Sequence, residues 1–305
     1  MIVISEFMDE AAIRDGLAEF EVLYDPTLVD RPEELRAAVR EARALVVRNR
    51  TQVRGPLLAA AARLEVVGRL GVGVDNIDVG ACRARGIAVC PATGANDVSV
   101  AEYVVAAALV LVRGAFLSTA EVAAGGWPRN RLVGGEVAGK RLGLVGFGSI
   151  AREVARRAAA LGMEVAAFDP YVADGAAWGT VTPLPLGDLL ATADVVSLHV
   201  PLTAGTRGMI DASAIAAMKP GAVLVNTARG GIVDEAALAA ALRTGALGGA
   251  ALDVFEEEPL PDRSGSFGGL ANLILTPHIA GVTGESNARV SRVTVENVAR
   301  VLKGR

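Results

Sequence analysis

Three residues late in the chain, Arg229, Glu258 and His278, carry the groups needed to hold a carboxylate and move a proton. His278 is one of two histidines in 305 residues and stands in LTPHIAG, behind a proline and close to a glycine. Imidazole is the side chain whose charge ordinarily changes near neutral pH. A guanidinium fork matches a carboxylate in two parallel hydrogen bonds. A carboxylate beside an imidazole favours its protonated form. Each residue also has a plainer reading: a surface arginine, a solvated acidic loop in LDVFEEEPL, or a packed histidine. Their common placement weighs against three accidents. Arg229 follows AVLVN, Glu258 follows GAALDV and His278 follows NLIL, all strand-like runs. In open parallel α/β sheets ligands gather at the carboxyl ends of strands.

Those strands belong to a longer alternation. In the first hundred residues, 2–5, 20–24, 44–47, 64–68 and 87–90 read as strands separated by helical patterns. A helix is expected over 31–43, with Asp30 as cap and Glu33 at capping-box spacing. A long helix is expected from Ser99 to about Gly114, with Glu102 three residues after its cap. After a glycine-rich stretch (123–140), strands recur at 141–146, 164–169, 194–200, 222–226, 249–254 and 272–275, and a helix closes the chain at about 285–302. Repeated β-α-β units imply parallel sheets with right-handed crossovers, hence two α/β domains.

Composition fits. Apolar residues make up 52% and aromatics 4%, with 35 glycines, so the cores are built of Ala, Val, Leu and Ile. The net charge of −4 and the lack of a basic run argue against nucleic-acid binding. Cys82 and Cys90 read as small buried hydrophobes of a reduced protein. The amino terminus has no signal-peptide pattern and the apolar run 103–112 is too short to span a bilayer. A cytoplasmic protein without membrane attachment is expected. No metal ligand set is indicated.

The most specific local pattern is RLGLVGFGSIAREVARRAAALGMEVAAFDPY. Gly146 and Gly148 follow an apolar strand, a helix opens at Ser149, and Asp169 ends the next strand 21 residues after Gly148. This is the context of a dinucleotide fingerprint, with Ala151 at the third, packing position. Gly146 permits the tight turn and Gly148 lets backbone approach a pyrophosphate at the helix amino end. Asp169 would accept hydrogen bonds from ribose hydroxyls and repel a 2′-phosphate, which favours NAD over NADP.

Taken together, GRLGVGVDNID, GFGSIAREVA, HVPLTAGT, VNTARGGIVDEAAL, ALDVFEEEPL and TPHIAG make the chain resemble the D-isomer-specific 2-hydroxyacid dehydrogenases over essentially its whole length. The resemblance implies a flavodoxin-like substrate domain (1–98 plus 283–305) and a Rossmann NAD-binding domain (99–282), with the active site in the cleft. It implies Arg229 as carboxylate clamp, His278 as acid/base, and Glu258, the glutamate directly before proline, as support for the imidazolium. Ser149, Ile150, Val200, Thr206, Thr227, Ala228, Asp253 and Gly281 would join Gly146, Gly148 and Asp169 at the cofactor, Asp253 near the nicotinamide end. His199 resembles a cofactor-loop residue without an acid/base role. The loop with Val72 and Gly73 would receive the substrate carboxylate through its amides.

Arg48 and Asn49, in VVRNRTQVR, match family positions facing the far end of the substrate. They point to a small acid with a second anionic group, sulfolactate or 3-phosphoglycerate, while Arg50 and Arg54 read as surface residues. The absence of a regulatory domain after residue 305 favours sulfolactate. The helix 99–113 and the arm around Trp127 resemble dimer-forming elements, so a homodimer is expected. A rival reading is an NAD-sensing corepressor on the same scaffold. Formate oxidation ranks last, because relatives with that chemistry carry an amide where this chain has Glu258.

Overall fold

A computed structural model describes residues 1–173, 175–261 and 264–304. The chain divides into two compact units, residues 1–96 with the segment from Val282 onward, and Asp97–Gly281. Arg305, in the carboxy-terminal part of the predicted first domain, lies outside the described residues.

The first unit holds five parallel strands: β1 (Ile2–Ile4), β2 (Val22–Tyr24), β3 (Ala44–Val47), β4 (Val66–Arg69) and β5 (Ala88–Pro91). Their order, β2-β1-β3-β4-β5, is that of flavodoxin-like sheets. Side chains alternate between faces along each strand. Val3, Leu45, Val47 and Val67 face one core with Leu35, Val39 and Leu58. Ile2, Ile4, Val46 and Val66 face the other, closed by Val290, Val295 and Val298 of helix Gly284–Leu302. Gly68 permits that closure, since a Cβ there would lie 2.7 Å from Val298 Cγ2. Thr283 opens the closing helix in a capping box with Ser286.

The expected helix 31–43 is shorter. It runs Pro32–Ala38, its cap is Arg31 without a side-chain bond, and Asp30 ends a preceding 3-10 turn. Asp30 is drawn instead into an ion pair with Arg50, a competitor the capping pattern does not reveal.

The second unit holds seven parallel strands: β6 (Arg141–Val145), β7 (Glu164–Phe168), β8 (Thr182–Pro183), β9 (Val195–Leu198), β10 (Val223–Asn226), β11 (Gly249–Leu252) and β12 (Leu273–Leu275). Their order is β12-β11-β10-β9-β6-β7-β8, a Rossmann sheet extended by one strand. One face packs Leu144, Val195 and Val225 against helices Asp97–Arg113 and Ser149–Ala160. The other packs Val196, Leu198 and Leu224 against Leu189, Ile215 and Leu238 of three shorter helices. The long helix begins at Asp97, two residues before the expected cap, and Ser99 is buried inside it. Two-residue β8 is too short to leave a pattern in the sequence. No single helix among the described residues is long and apolar enough to cross a membrane.

Candidate active site

His278 is the only non-glycine residue with positive φ among the described residues, at 56°. Such a conformation costs on the order of 1–2 kcal/mol and persists only where its surroundings dictate it. Asp253 dictates it here. Its peptide oxygen accepts the His278 N–H at 2.8 Å, and its side chain accepts Ile279 N–H on Oδ1 and Ala280 N–H on Oδ2, both at 2.8 Å. The Thr276 hydroxyl donates to Oδ1 at 2.6 Å. With 1% of its surface exposed, Asp253 ties the end of β11 to the turn after β12. Sequence reading gave Asp253 a cofactor role and did not foresee this bracing, because its donors lie 23 to 27 positions away.

Through that turn His278 Nδ1 meets Glu258 Oε2 at 2.7 Å. Glu258 Oε1 accepts the Phe255 N–H at 3.0 Å, which fixes the carboxylate within its own loop. A second acid, Glu235, braces the same loop by accepting the Glu256 N–H at 2.7 Å. Burial draws the Glu258 pKa upward, but the His278 and Phe255 hydrogen bonds and the His278 and Arg229 charges outweigh it, so the group lies below the usual range. Glu258 is therefore an anion at neutral pH, in contact with the imidazole and within the field of Arg229.

Arg229 is set by the turn after β10. Asn226, buried, accepts the Ala228 N–H and donates to the Arg229 carbonyl, both at 3.0 Å. The next residue must be glycine: a Cβ on Gly230 would lie 1.7 Å from the Phe255 carbonyl oxygen. The Arg229 and Glu258 loops thus touch backbone to backbone. Arg229 Nη1 donates to the Ala228 carbonyl at 2.5 Å.

Further along the same carboxyl edge of the sheet, the residues fit a dinucleotide. Strand order reverses between β6 and β9, where such sheets bind ligands. Gly146 turns there with φ 92°, and a Cβ on it would lie 2.8 Å from the His199 carbonyl oxygen and 3.0 Å from Val200. Gly148 opens helix Ser149–Ala160 without any side-chain cap, and a Cβ there would meet nothing within 4 Å. Uncapped amides at a helix amino end, with open space before them, suit a pyrophosphate. Ser149 is exposed, while Ile150 and Ala151 seat the helix on the core. Asp169 holds the glycine loop by accepting Phe147 N–H at 2.8 Å and Tyr171 N–H at 2.9 Å. The Thr206 hydroxyl braces its loop by donating to the Pro201 carbonyl at 2.6 Å. Thr227 Oγ1, beside half-buried Ala228, is buried without a hydrogen-bond partner among the described residues, as a group reserved for a ligand would be. Gly281 closes the turn that begins at His278.

His199 is a different kind of histidine. Enclosure of its ring pushes its pKa down to about 4, and Ser197 Oγ lies 2.9 Å from Nε2. The imidazole is therefore neutral at neutral pH.

In the first unit Arg48 is half-buried after β3, and Asn49 beside it is exposed. The Arg48 guanidinium meets Asn287 Oδ1 at 2.5 Å and the Phe7 carbonyl at 3.4 Å, with its carbon 5.8 Å from the Phe7 ring centroid. Arg50 is paired with Asp30, and Arg54 donates to the Asp75 carbonyl. Val72 is 36% exposed, in a loop folded round Arg69. The Arg69 guanidinium donates to the carbonyls of Leu70 and Gly73, the latter at 2.7 Å. Sequence reading overlooked Arg69, although a cation at the head of a glycine-rich loop is a visible signal.

Comparison with known proteins agrees with this architecture. Residues 105–280 match the family model described as D-isomer specific 2-hydroxyacid dehydrogenase, NAD binding domain. The chain is 60% identical to an (S)-sulfolactate dehydrogenase of Chromohalobacter salexigens, over 99% of this chain and 98% of that one. It is 45% identical to the D-3-phosphoglycerate dehydrogenase of Mycobacterium tuberculosis over 90% of this chain, but spans only 52% of that longer protein. Among solved structures, the D-lactate dehydrogenase of Aquifex aeolicus complexed with NAD and lactic acid superposes with a TM-score of 0.87 at 28% identity, over 100% of this chain and 96% of that one. The chain belongs to the D-isomer-specific 2-hydroxyacid dehydrogenases and is an NAD-dependent oxidoreductase.

Proposed function

We propose that this enzyme interconverts sulfopyruvate and (S)-sulfolactate, with Arg229, Glu258 and His278 as its catalytic residues. The observation that carries the catalytic assignment is the 2.7 Å contact between His278 Nδ1 and Glu258 Oε2. With Nδ1 directed at a carboxylate, Nε2 is the nitrogen left to exchange a proton with the substrate oxygen. In reduction the imidazolium donates from Nε2 to the carbonyl oxygen as it becomes a hydroxyl; in oxidation the neutral ring takes the hydroxyl proton. Glu258 keeps Nδ1 protonated and stabilises the imidazolium without itself taking the proton. Arg229 holds the 2-carboxylate, which sets the reacting carbon in one orientation. Bound NAD accepts or supplies the hydride.

The choice of acid rests on the 60% identity to the sulfolactate enzyme and on Arg48, a cation without a carboxylate in contact among the described residues. Configuration agrees as well. In sulfolactate the sulfomethyl carbon outranks the carboxyl carbon, so the D arrangement carries the (S) descriptor. Phosphoglycerate, with the second-anion feature in common, is the alternative acid. The test is NADH oxidation against sulfopyruvate, phosphohydroxypyruvate, hydroxypyruvate, pyruvate and glyoxylate. The highest kcat/KM is expected for sulfopyruvate; a monoanion ahead of both dianions would overturn the reading.

We further infer a cytoplasmic homodimer. Its support is a run of exposed apolar side chains in one segment: Phe116 (66%), Leu117 (43%), Val122 (41%), Trp127 (81%) and Val133 (82%). Light scattering should return twice the mass of the chain, and a single-chain mass at assay concentration would contradict it.

A further inference from the structure

Glu6 follows β1 and is only 4% exposed, although nothing in the reaction calls for an acid there. Its carboxylate collects three backbone N–H groups from one loop: Arg48 at 2.9 Å and Thr51 at 3.0 Å on Oε1, and Arg50 at 3.1 Å on Oε2. That loop follows β3, the neighbour of β1, and strand order in this sheet reverses between the two. Such reversals are where α/β sheets take ligands. We propose that Glu6 is a positioning residue that acts through the 48–51 backbone to aim Arg48, and thereby sets the preference for substrates with a second anionic group. The inference rests on the substrate reading above.

Neighbouring amides that converge on one point make an anion nest. Here the protein fills the nest with its own carboxylate, so these amides are not available to an incoming anion. The other cations of the segment are committed, Arg50 to Asp30 and Arg54 to the Asp75 carbonyl. Arg48 remains. Its partners are an amide oxygen, a peptide oxygen and an aromatic face, none of them charged. Desolvation pulls its pKa down against the opposing charge of Glu6, so an anion brought to it answers an unmet electrostatic demand. Asn76, itself buried, fixes the same loop from the other side by donating to the carbonyls of Arg48 at 3.2 Å and Thr51 at 2.7 Å. The Ser5 and Thr51 hydroxyls lie 2.9 Å apart and complete the clamp.

A purely through-space role for Glu6 has the opposite consequence. A negative charge under the loop repels a dianion, so its removal would tighten dianion binding. Glu6→Gln separates the two, because glutamine keeps the shape, loses the charge and offers one acceptor oxygen in place of two. Its amide N–H would face the Arg50 N–H, donor against donor.

The experiment measures kcat and KM for sulfopyruvate and pyruvate with NADH in the wild type, Glu6→Gln and Asn76→Ala, with thermal midpoints alongside. Positioning predicts that the sulfopyruvate-to-pyruvate ratio of kcat/KM falls about tenfold in both variants, the order of losing one charge-assisted hydrogen bond. The loss should lie in KM for sulfopyruvate rather than in kcat. An unchanged ratio, an equal loss on both substrates, or a lower sulfopyruvate KM would overturn the proposal. If Glu6→Gln does not fold, Asn76→Ala decides by the same ratio. A wild type without dianion preference overturns the substrate reading, and the proposal with it, before any variant is made.

Discussion

Twenty positions separate Glu258 from His278 in the chain, and the fold brings their side chains to 2.7 Å. The types and strand-end places of Arg229, Glu258 and His278 were legible in the sequence, but the contact was not, because it depends on how the turns after β11 and β12 meet. The bracing residues were less visible still. Asp253 acts through amides 26 and 27 positions away and Glu6 through amides 42 to 45 positions away, and neither spacing leaves a local pattern. At this scale Glu258→Gln is the informative change. An amide cannot balance the imidazolium charge, so the acid-requiring limb of keto-acid reduction should move to lower pH. The kcat at pH 7 is expected to drop about a hundredfold while NADH affinity holds. A pH profile that superposes on that of the wild type would show that the contact is only structural.

At the scale of elements, strands were read well because parallel strands buried on both faces are near-continuous apolar runs. Every strand except β8 was foreseen, with no end off by more than two residues. Helix starts were read less well. Asp30 and Ser99 have the chemistry of caps, yet an ion pair drew the first away and packing absorbed the second. His199, at the end of β9, shows how an element's burial reaches stability. Its folded pKa of about 4 lies below the ordinary 6.5, so the unfolded chain takes up the proton first as pH falls. Its contribution is complete above about pH 6.5 and is lost progressively toward pH 4. The Tm should therefore decline across that window, and His199→Gln should flatten the decline. Equal slopes for the two proteins would contradict an enclosed, neutral His199.

For the whole molecule, each unit carries its own reversal of strand order; the glycine loop follows β6 at one, and Glu6 and Arg48 follow β1 and β3 at the other. The second unit sets the glycine loop, Asp169, Arg229, Glu258 and His278 after the carboxyl ends of strands in one sheet, so the proposed cofactor and acid/base groups share a rigid support. The first sets Arg48 on a loop held by Glu6. Family and cofactor were legible because several ordered motifs run along the entire chain; the pointer to a second anionic group was Arg48 with its neighbour Asn49. The most direct test of the central claim compares NADH oxidation with sulfopyruvate in the wild type and in His278→Ala, with NADH binding measured separately by fluorescence. Rapid turnover by the wild type and a loss of at least about a hundredfold in the variant, at unchanged NADH affinity, is the predicted result. Turnover retained in His278→Ala would contradict proton transfer by this residue, and no turnover in the wild type would contradict the substrate.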